Sequence, residues 1–135
     1  MAQRDTVLRW IENLGRLVAR LLHGGGMDGL AAAREQIAAA TEALLGPLAL
    51  LAPRLDSASA AGLLQDPQRI FGWAQLIDLE AVLAEAEGKP ADGASLRRRA
   101  VELAREAARR ADPARDDWAA WIADRLTRPD GPPAA

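Results

Sequence analysis

The residues of this chain that could do chemistry are few, and none has the partners that catalysis requires. His23 is the only histidine, and there is no cysteine. Thiol catalysis, disulfides, thiolate metal sites and the paired histidines of zinc or di-iron centres are therefore excluded. Ser57, Ser59 and Ser95 would need a neighbouring base to act as nucleophiles, so we interpret them as helix caps. We expect no catalytic residue, no metal and no cofactor.

The acidic and glycine-rich segments also indicate no catalytic, metal or phosphate site. Gly24-Gly25-Gly26 lacks the Lys-Ser/Thr pair that holds phosphate and magnesium in a phosphate-binding loop, so it is interpreted as a linker. Carboxylates one or two positions apart do not share a helix face, and such pairs are predicted to be solvated. Three pairs have this spacing, namely Asp78/Glu80, Glu85/Glu87 and Asp116/Asp117.

The densest basic segment is Arg97-Arg98-Arg99, followed by Arg105, Arg109 and Arg110. Glu102 and Glu106 interrupt it, and the spacing predicts helical ion pairs Arg98–Glu102 and Glu106–Arg110. Nucleic acid would favour unopposed positive charge, whereas the net charge of this chain is −2. We therefore do not expect nucleic-acid binding.

The composition predicts an all-α fold. Alanine occurs 31 times in 135 residues, tyrosine is absent, and Phe71 is the only phenylalanine. Alanine is the best helix former, whereas a sheet would favour β-branched and aromatic residues. No apolar run approaches the roughly 20 residues that a membrane span needs, and charged residues interrupt the N-terminal apolar positions, so no signal peptide is predicted. A cytoplasmic location is expected.

The spacing of apolar residues, together with residues that typically start or end helices, predicts where the helices lie. We predict an amphipathic helix over residues 1–23, regular from about Asp5 to Leu22, a glycine linker over 24–27, and a helical body over 28–127. Within the body we predict helices over 28–45, 58–65, 66–87, 94–111 and 112–126. The 66–87 and 112–126 helices each begin with an Asp-Pro signal, and Lys89–Gly93 is predicted to be a turn. Residues 128–135, which contain three prolines, are predicted to be a disordered tail.

These elements predict one domain, an antiparallel array or bundle of five main helices with one or two short ones. Within it, "LIDLEAVLAEAEGKPADGASLRRRAVELAREA" resembles a tetratricopeptide-type hairpin over residues 73–112. Ala81 and Ala84 fall where that repeat has its small and aromatic positions, and Gly88 falls on its inter-helix glycine. Gly93 falls on a small-residue position and Ala100 on the later alanine of the repeat. The opening "RDTVLRWIENLGRLVARLL", followed by this hairpin, also resembles a family of small bacterial helical proteins. Both resemblances imply a helical fold and add no activity.

The N-terminal helix is the main candidate for a functional surface, and three interpretations are open. It could pack inside the bundle, pair with a second subunit or partner, or lie on an anionic membrane surface. Tryptophan fills core volume and is also enriched at interfaces. The candidate interface residues are Val7, Trp10, Ile11, Leu14, Val18, Leu21, Trp118 and Trp121.

The predicted function is a non-enzymatic protein–protein interaction or scaffold module of a bacterial cytoplasmic system, and we expect it to self-associate as a homodimer. The alternatives are a peripheral membrane protein anchored by its first helix, and a small-ligand-binding helical domain.

Overall fold

The computed structural model describes residues 2–127, with side chains described from Val7 onward. This part of the chain forms six α-helices and two 3₁₀ turns and contains no strand, so the predicted all-α helical array is confirmed. The predicted tail, residues 128–135, lies outside the described residues. The helices are α1 (Ala2–Gly24), α2 (Gly26–Leu45), α3 (Ser57–Leu64), α4 (Pro67–Ala86), α5 (Pro90–Arg110) and α6 (Ala119–Thr127), and the 3₁₀ turns are Gly46–Leu48 and Ala52–Arg54.

Helices α1 and α2 fold back on each other at a tight corner. Gly25 alone separates them, so the structure replaces the predicted linker 24–27 with a single residue. The backbones approach so closely that a Cβ on Gly29 would lie 2.2 Å from the carbonyl oxygen of Leu21. Small side chains on α2, such as buried Ala33 and Ala40, then let α1 pack along it. The corner is therefore fixed by packing.

The substitution Gly29→Ala is expected to destabilise the protein by about 1–3 kcal/mol, because the new methyl group meets backbone that cannot rotate away. Gly62→Ala is the matched control: Gly62 lies within α3, and a Cβ there would meet nothing within 4 Å. Removing a glycine from a helix interior is expected to stabilise the protein by about 0.5–1 kcal/mol. Urea unfolding of both variants measures the contrast, and equal effects would show that the corner is not tight.

Helix α4 is the central element, and local signals in the sequence set both of its ends. The Asp66 side chain accepts a hydrogen bond from the Gln68 amide at 3.1 Å, and Pro67 occupies the first helical position, as predicted. Gly88 follows the helix with φ +80°, a conformation that favours glycine. Buried side chains occur all around α4, which is typical of a helix with neighbours on several sides. It packs against α1, α2 and, most extensively, α5.

Helix α5 begins earlier than predicted. The sequence predicts a turn over Lys89–Gly93, whereas the structure starts the helix at Pro90, where the missing N–H costs no hydrogen bond. Gly93 is buried in the helix rather than in a loop, because α4 passes beside it. A Cβ on Gly93 would lie 3.1 Å from the Ala81 carbonyl oxygen. This glycine therefore serves close helix packing.

The prediction for the last helix is wrong at its start. Asp112 does cap, since it accepts a hydrogen bond from the Ala114 amide at 3.0 Å, but only a turn follows. Helix α6 begins at Ala119, where Asp117 accepts from the Ala119 amide at 3.0 Å. Between them, buried Trp118 stacks on Phe71 of α4 with ring centroids 4.3 Å apart. That stacking directs the chain across α4 before it becomes helical.

The buried apolar side chains form two adjoining clusters. One is centred on α3, α4 and α5 and contains Trp73, Leu103 and Trp118. The other joins α1 and α2 to the opposite side of α4 and includes Ile11 and Leu76. Leu44 packs against both clusters, so the helices share a continuous apolar interior.

Candidate functional site

The structure divides the eight predicted interface residues between the interior and the surface. Four are buried, one is well exposed, and three are half-buried. The exposed one is Trp10, at 42% exposure. The buried residues are Ile11, Leu14, Val18 and Trp118, and the half-buried ones are Val7, Leu21 and Trp121.

The apolar stripe of α1 is the row of candidate interface residues from Val7 to Leu21. Most of this stripe packs inside the chain. Its central residues contact α2 and α4 in the second apolar cluster, which corresponds to the first of the three interpretations of this helix. Trp118 and Trp121 pack against Phe71, Trp121 edge-on with centroids 5.2 Å apart. Trp10 is thus the large apolar side chain of the stripe that remains available to another molecule.

Trp10 borders a shallow groove of about 320 Å³, which we call the Trp10 groove. Its apolar wall is formed by Val7 and Trp10 of α1 with Ala43 and Leu44 of α2. Its polar rim is the first turn of α4, including Gln68 and Arg69. An exposed indole beside an apolar groove, rimmed by polar groups, is typical of a protein-binding surface.

The Arg69 side chain fixes the shape of the Trp10 groove. Its Nε donates to the Leu44 carbonyl at 2.9 Å, and one of its terminal nitrogens donates to the Leu45 carbonyl at 2.6 Å. Those carbonyls belong to the last turn of α2, where carbonyl oxygens have no hydrogen-bond donor within the helix. Arg69 therefore ties the end of α2 to the start of α4, and the two walls of the groove are held together.

A second candidate site is a buried charge network, in which carboxylates of α4 pair with arginines of α5 and α6. Asp78 and Arg97 are 5% and 6% exposed. Arg97 Nη1 lies 2.5 Å from Glu85 Oε1, and Arg97 Nε lies 3.9 Å from Asp78 Oδ1. On its other side, Asp78 Oδ2 accepts from Arg125 at 3.3 Å and 3.4 Å. Asp78 thus lies between two guanidinium groups.

The Arg125 end of this network also anchors α6. The Arg125 guanidinium lies 4.1 Å from the ring centroid of Trp121, a cation–π distance, and Nη1 donates to Asp124 at 3.1 Å. Asp78 Oδ1 and Gln75 Oε1 are buried without a hydrogen-bond partner, beside a cavity of about 130 Å³ between α1, α4 and α6. A cavity of that size with polar walls has room for ordered water.

Another groove, of about 460 Å³, lies between α2 and α5 with α4 as its floor. Its apolar lining includes Ile37 of α2 and Leu83 of α4, and its rim carries both signs of charge. Arg34 of α2 forms an ion pair with Glu87 across one end. Burial raises the pKa of Glu80 above its ordinary value, and the nearby Arg34 opposes that shift.

The predicted serine caps and ion pairs are partly wrong. Asp56, not Ser57, caps α3 by accepting from the Ser59 amide at 3.0 Å; this hydrogen bonding lowers the pKa of Asp56. Ser57 instead donates to Glu102 at 2.7 Å and accepts from Arg99 at 3.1 Å. Glu102 is therefore turned toward α3, and the predicted Arg98–Glu102 pair does not form.

The other predicted pair is confirmed. The Glu106 carboxylate pairs with Arg110 at 2.8 Å and also with Arg109. Arg99, by contrast, leans over the Trp73 ring at 5.3 Å, and burial lowers its pKa. The arginines of the basic segment are therefore of two kinds. Some are held by α3, by α4 or by their own helix, and two others, Arg98 and Arg105, are exposed.

Among the groups with catalytic potential, Ser57 meets Glu102 and Arg99. His23 is exposed in the last turn of α1. Across residues 2–127, no group of three or more histidines and carboxylates is arranged to hold a metal ion. No helix in this part of the chain is long and apolar enough to cross a membrane.

Comparisons with protein-family models, with curated proteins and with solved structures found no match to this chain.

Proposed function

We propose that this chain is a non-enzymatic helical interaction module of the cytoplasm that self-associates through the Trp10 groove. The observation that carries the proposal is the exposure of Trp10, 42%, beside an apolar groove, while neighbouring Ile11 is 2% exposed. An indole that is 42% exposed has apolar area that it can bury against a partner. Tryptophan is also among the residues that most often dominate binding energy.

A second copy of the chain is the partner that this surface fits. A twofold-symmetric interface requires one surface that carries both a projecting group and the recess that receives it. Trp10 projects from α1, and the recess between Val7, Ala43 and Leu44 adjoins it directly. Two copies related by a twofold axis at this point would each insert an indole into the groove of the other.

The burial of Ile11, Leu14 and Val18 also argues against the membrane alternative. An interfacial helix must turn its apolar face toward lipid. In α1 these three side chains are packed against α2 and α4, so only the Trp10 edge of the stripe would reach a bilayer. Pairing through Trp10 needs no rearrangement of α1.

Light scattering coupled to size exclusion tests this proposal. The wild-type chain is expected to approach twice its 14.4 kDa mass as its concentration rises. Trp10→Ala is expected to weaken pairing by about thirtyfold or more, as for a dominant interface residue. Leu126→Ala is the matched control, because Leu126 is a comparably exposed apolar side chain, at 54%, on α6. A wild-type chain that stays monomeric, or equal weakening by both variants, would contradict the proposal.

A further inference from the structure

Helices α5 and α6 enclose a groove of about 270 Å³, and we call it the arginine groove. Four guanidinium groups and two apolar side chains dominate its lining. These are Arg97, Arg98, Arg105 and Arg125 with Val101 and Leu126. The groove therefore combines positive charge with an apolar strip, and it is separate from the Trp10 groove.

The four arginines are of two kinds. Arg97 and Arg125 are held from inside by Asp78, so their guanidinium groups form a fixed wall whose charge is already balanced. Arg98 and Arg105 are exposed, and within the described part of the chain neither has a hydrogen bond or an ion pair. Glu102, the carboxylate spaced to neutralise Arg98, accepts from Ser57 instead. Two guanidinium groups at the rim are thus open to an anionic partner.

The spacing of these two arginines indicates what kind of anion fits. They are seven residues apart on one helix, which places them on the same face and separates their Cα atoms by about 10.5 Å. A polyproline II segment repeats every three residues and rises about 3.1 Å per residue. Carboxylates at positions i and i+3 of such a peptide are about 9 Å apart on one side, close to the arginine spacing.

We propose that the arginine groove binds an extended acidic segment of a partner protein. Its carboxylates would form charge-assisted pairs with Arg98 and Arg105, and an apolar side chain between them would pack on Val101 and Leu126. Nucleic acid fits less well, because its affinity comes from many phosphate contacts and this rim offers two unopposed cations beside Glu102.

Fluorescence anisotropy with a labelled synthetic peptide tests the site. The probe carries two glutamates three positions apart in a proline-rich sequence, with one leucine between them, and a matched probe has glutamines in their place. The wild-type chain is expected to bind the glutamate probe and to prefer it over the glutamine probe by about tenfold, since hydrogen bonds to charged groups are the stronger kind.

The double variant R98Q/R105Q is expected to lose that preference and to weaken binding about tenfold. The control R9Q/R20Q removes the same charge from exposed positions of α1 and is expected to bind like the wild-type chain. Trp10→Ala is likewise expected to bind normally, so this site and the proposed self-association can fail separately. The inference is overturned by equal loss in both double variants, by absence of binding at about 1 mM, or by tighter binding of a single-stranded oligonucleotide of the same charge.

Discussion

Replacing Asp78 with asparagine is expected to lower the free energy of unfolding by about 3 kcal/mol or more. The substitution keeps the size of the side chain and removes its charge. Arg97, which is 6% exposed, then retains Glu85 as its anionic partner. Arg125 loses the buried carboxylate of Asp78. A buried guanidinium without a compensating charge is costly, because the lost hydration is not replaced. Urea unfolding measures the change.

Asp124→Asn is the matched control for that experiment. Asp124 pairs with the same Arg125, at 3.1 Å, but its side chain is 52% exposed. Exposed ion pairs contribute about 0–1 kcal/mol, so a small loss is expected. Asp78→Asn should also speed hydrogen exchange in α6, because Arg125 anchors that helix. Similar losses for the two variants would show that the network contributes no more than a surface ion pair.

Replacing Ile11 with alanine is expected to cost about 2–5 kcal/mol. Ile11 is 2% exposed at the junction of α1 with α2 and α4, and its Cδ1 would lie 3.0 Å from a Cβ placed on Gly72. The backbones are already close there, so they cannot collapse to fill the space that the truncation leaves. The loss therefore includes both the lost burial and the cavity.

Trp10→Ala, one residue away, is the control. It removes a larger side chain from the same helix, yet it is expected to cost about 1 kcal/mol or less in the monomer, because exposed positions contribute little to folding. Thermal or urea unfolding at low protein concentration keeps self-association out of the comparison. A larger loss for Trp10→Ala than for Ile11→Ala would mean that α1 is rotated relative to this account.

Local signals in the sequence predicted the helices where the same signals determine the structure. Asp66-Pro67 starts α4 and Gly88 follows it, since capping and the missing proline N–H act within one turn. Prediction failed where contact with a neighbouring helix determines the local conformation of the chain. Gly93 looks like a loop residue but is required by the passage of α4, and Asp112-Pro113 makes only a turn because Trp118 first stacks on Phe71.

The two candidate binding surfaces were less predictable for the same reason. The candidate interface predicted on α1 included Trp10, but periodicity alone cannot tell which edge of an apolar face another helix covers. The Asp78–Arg97 contact joins residues on different helices, and no sequence spacing indicates it. The Arg98–Glu102 pair was expected from helical spacing and is replaced by a hydrogen bond from Ser57, which lies 45 positions away.

The most direct test of self-association through Trp10 is fluorine NMR of the chain labelled with 5-fluorotryptophan. The four tryptophans give four resonances, and Trp10→Ala assigns the one of interest. On raising the concentration from about 10 μM to about 1 mM, we expect the Trp10 resonance to shift while those of Trp73, Trp118 and Trp121 stay in place. A Trp10 resonance that does not move across that range, or a shift confined to Trp118 and Trp121, would contradict the account.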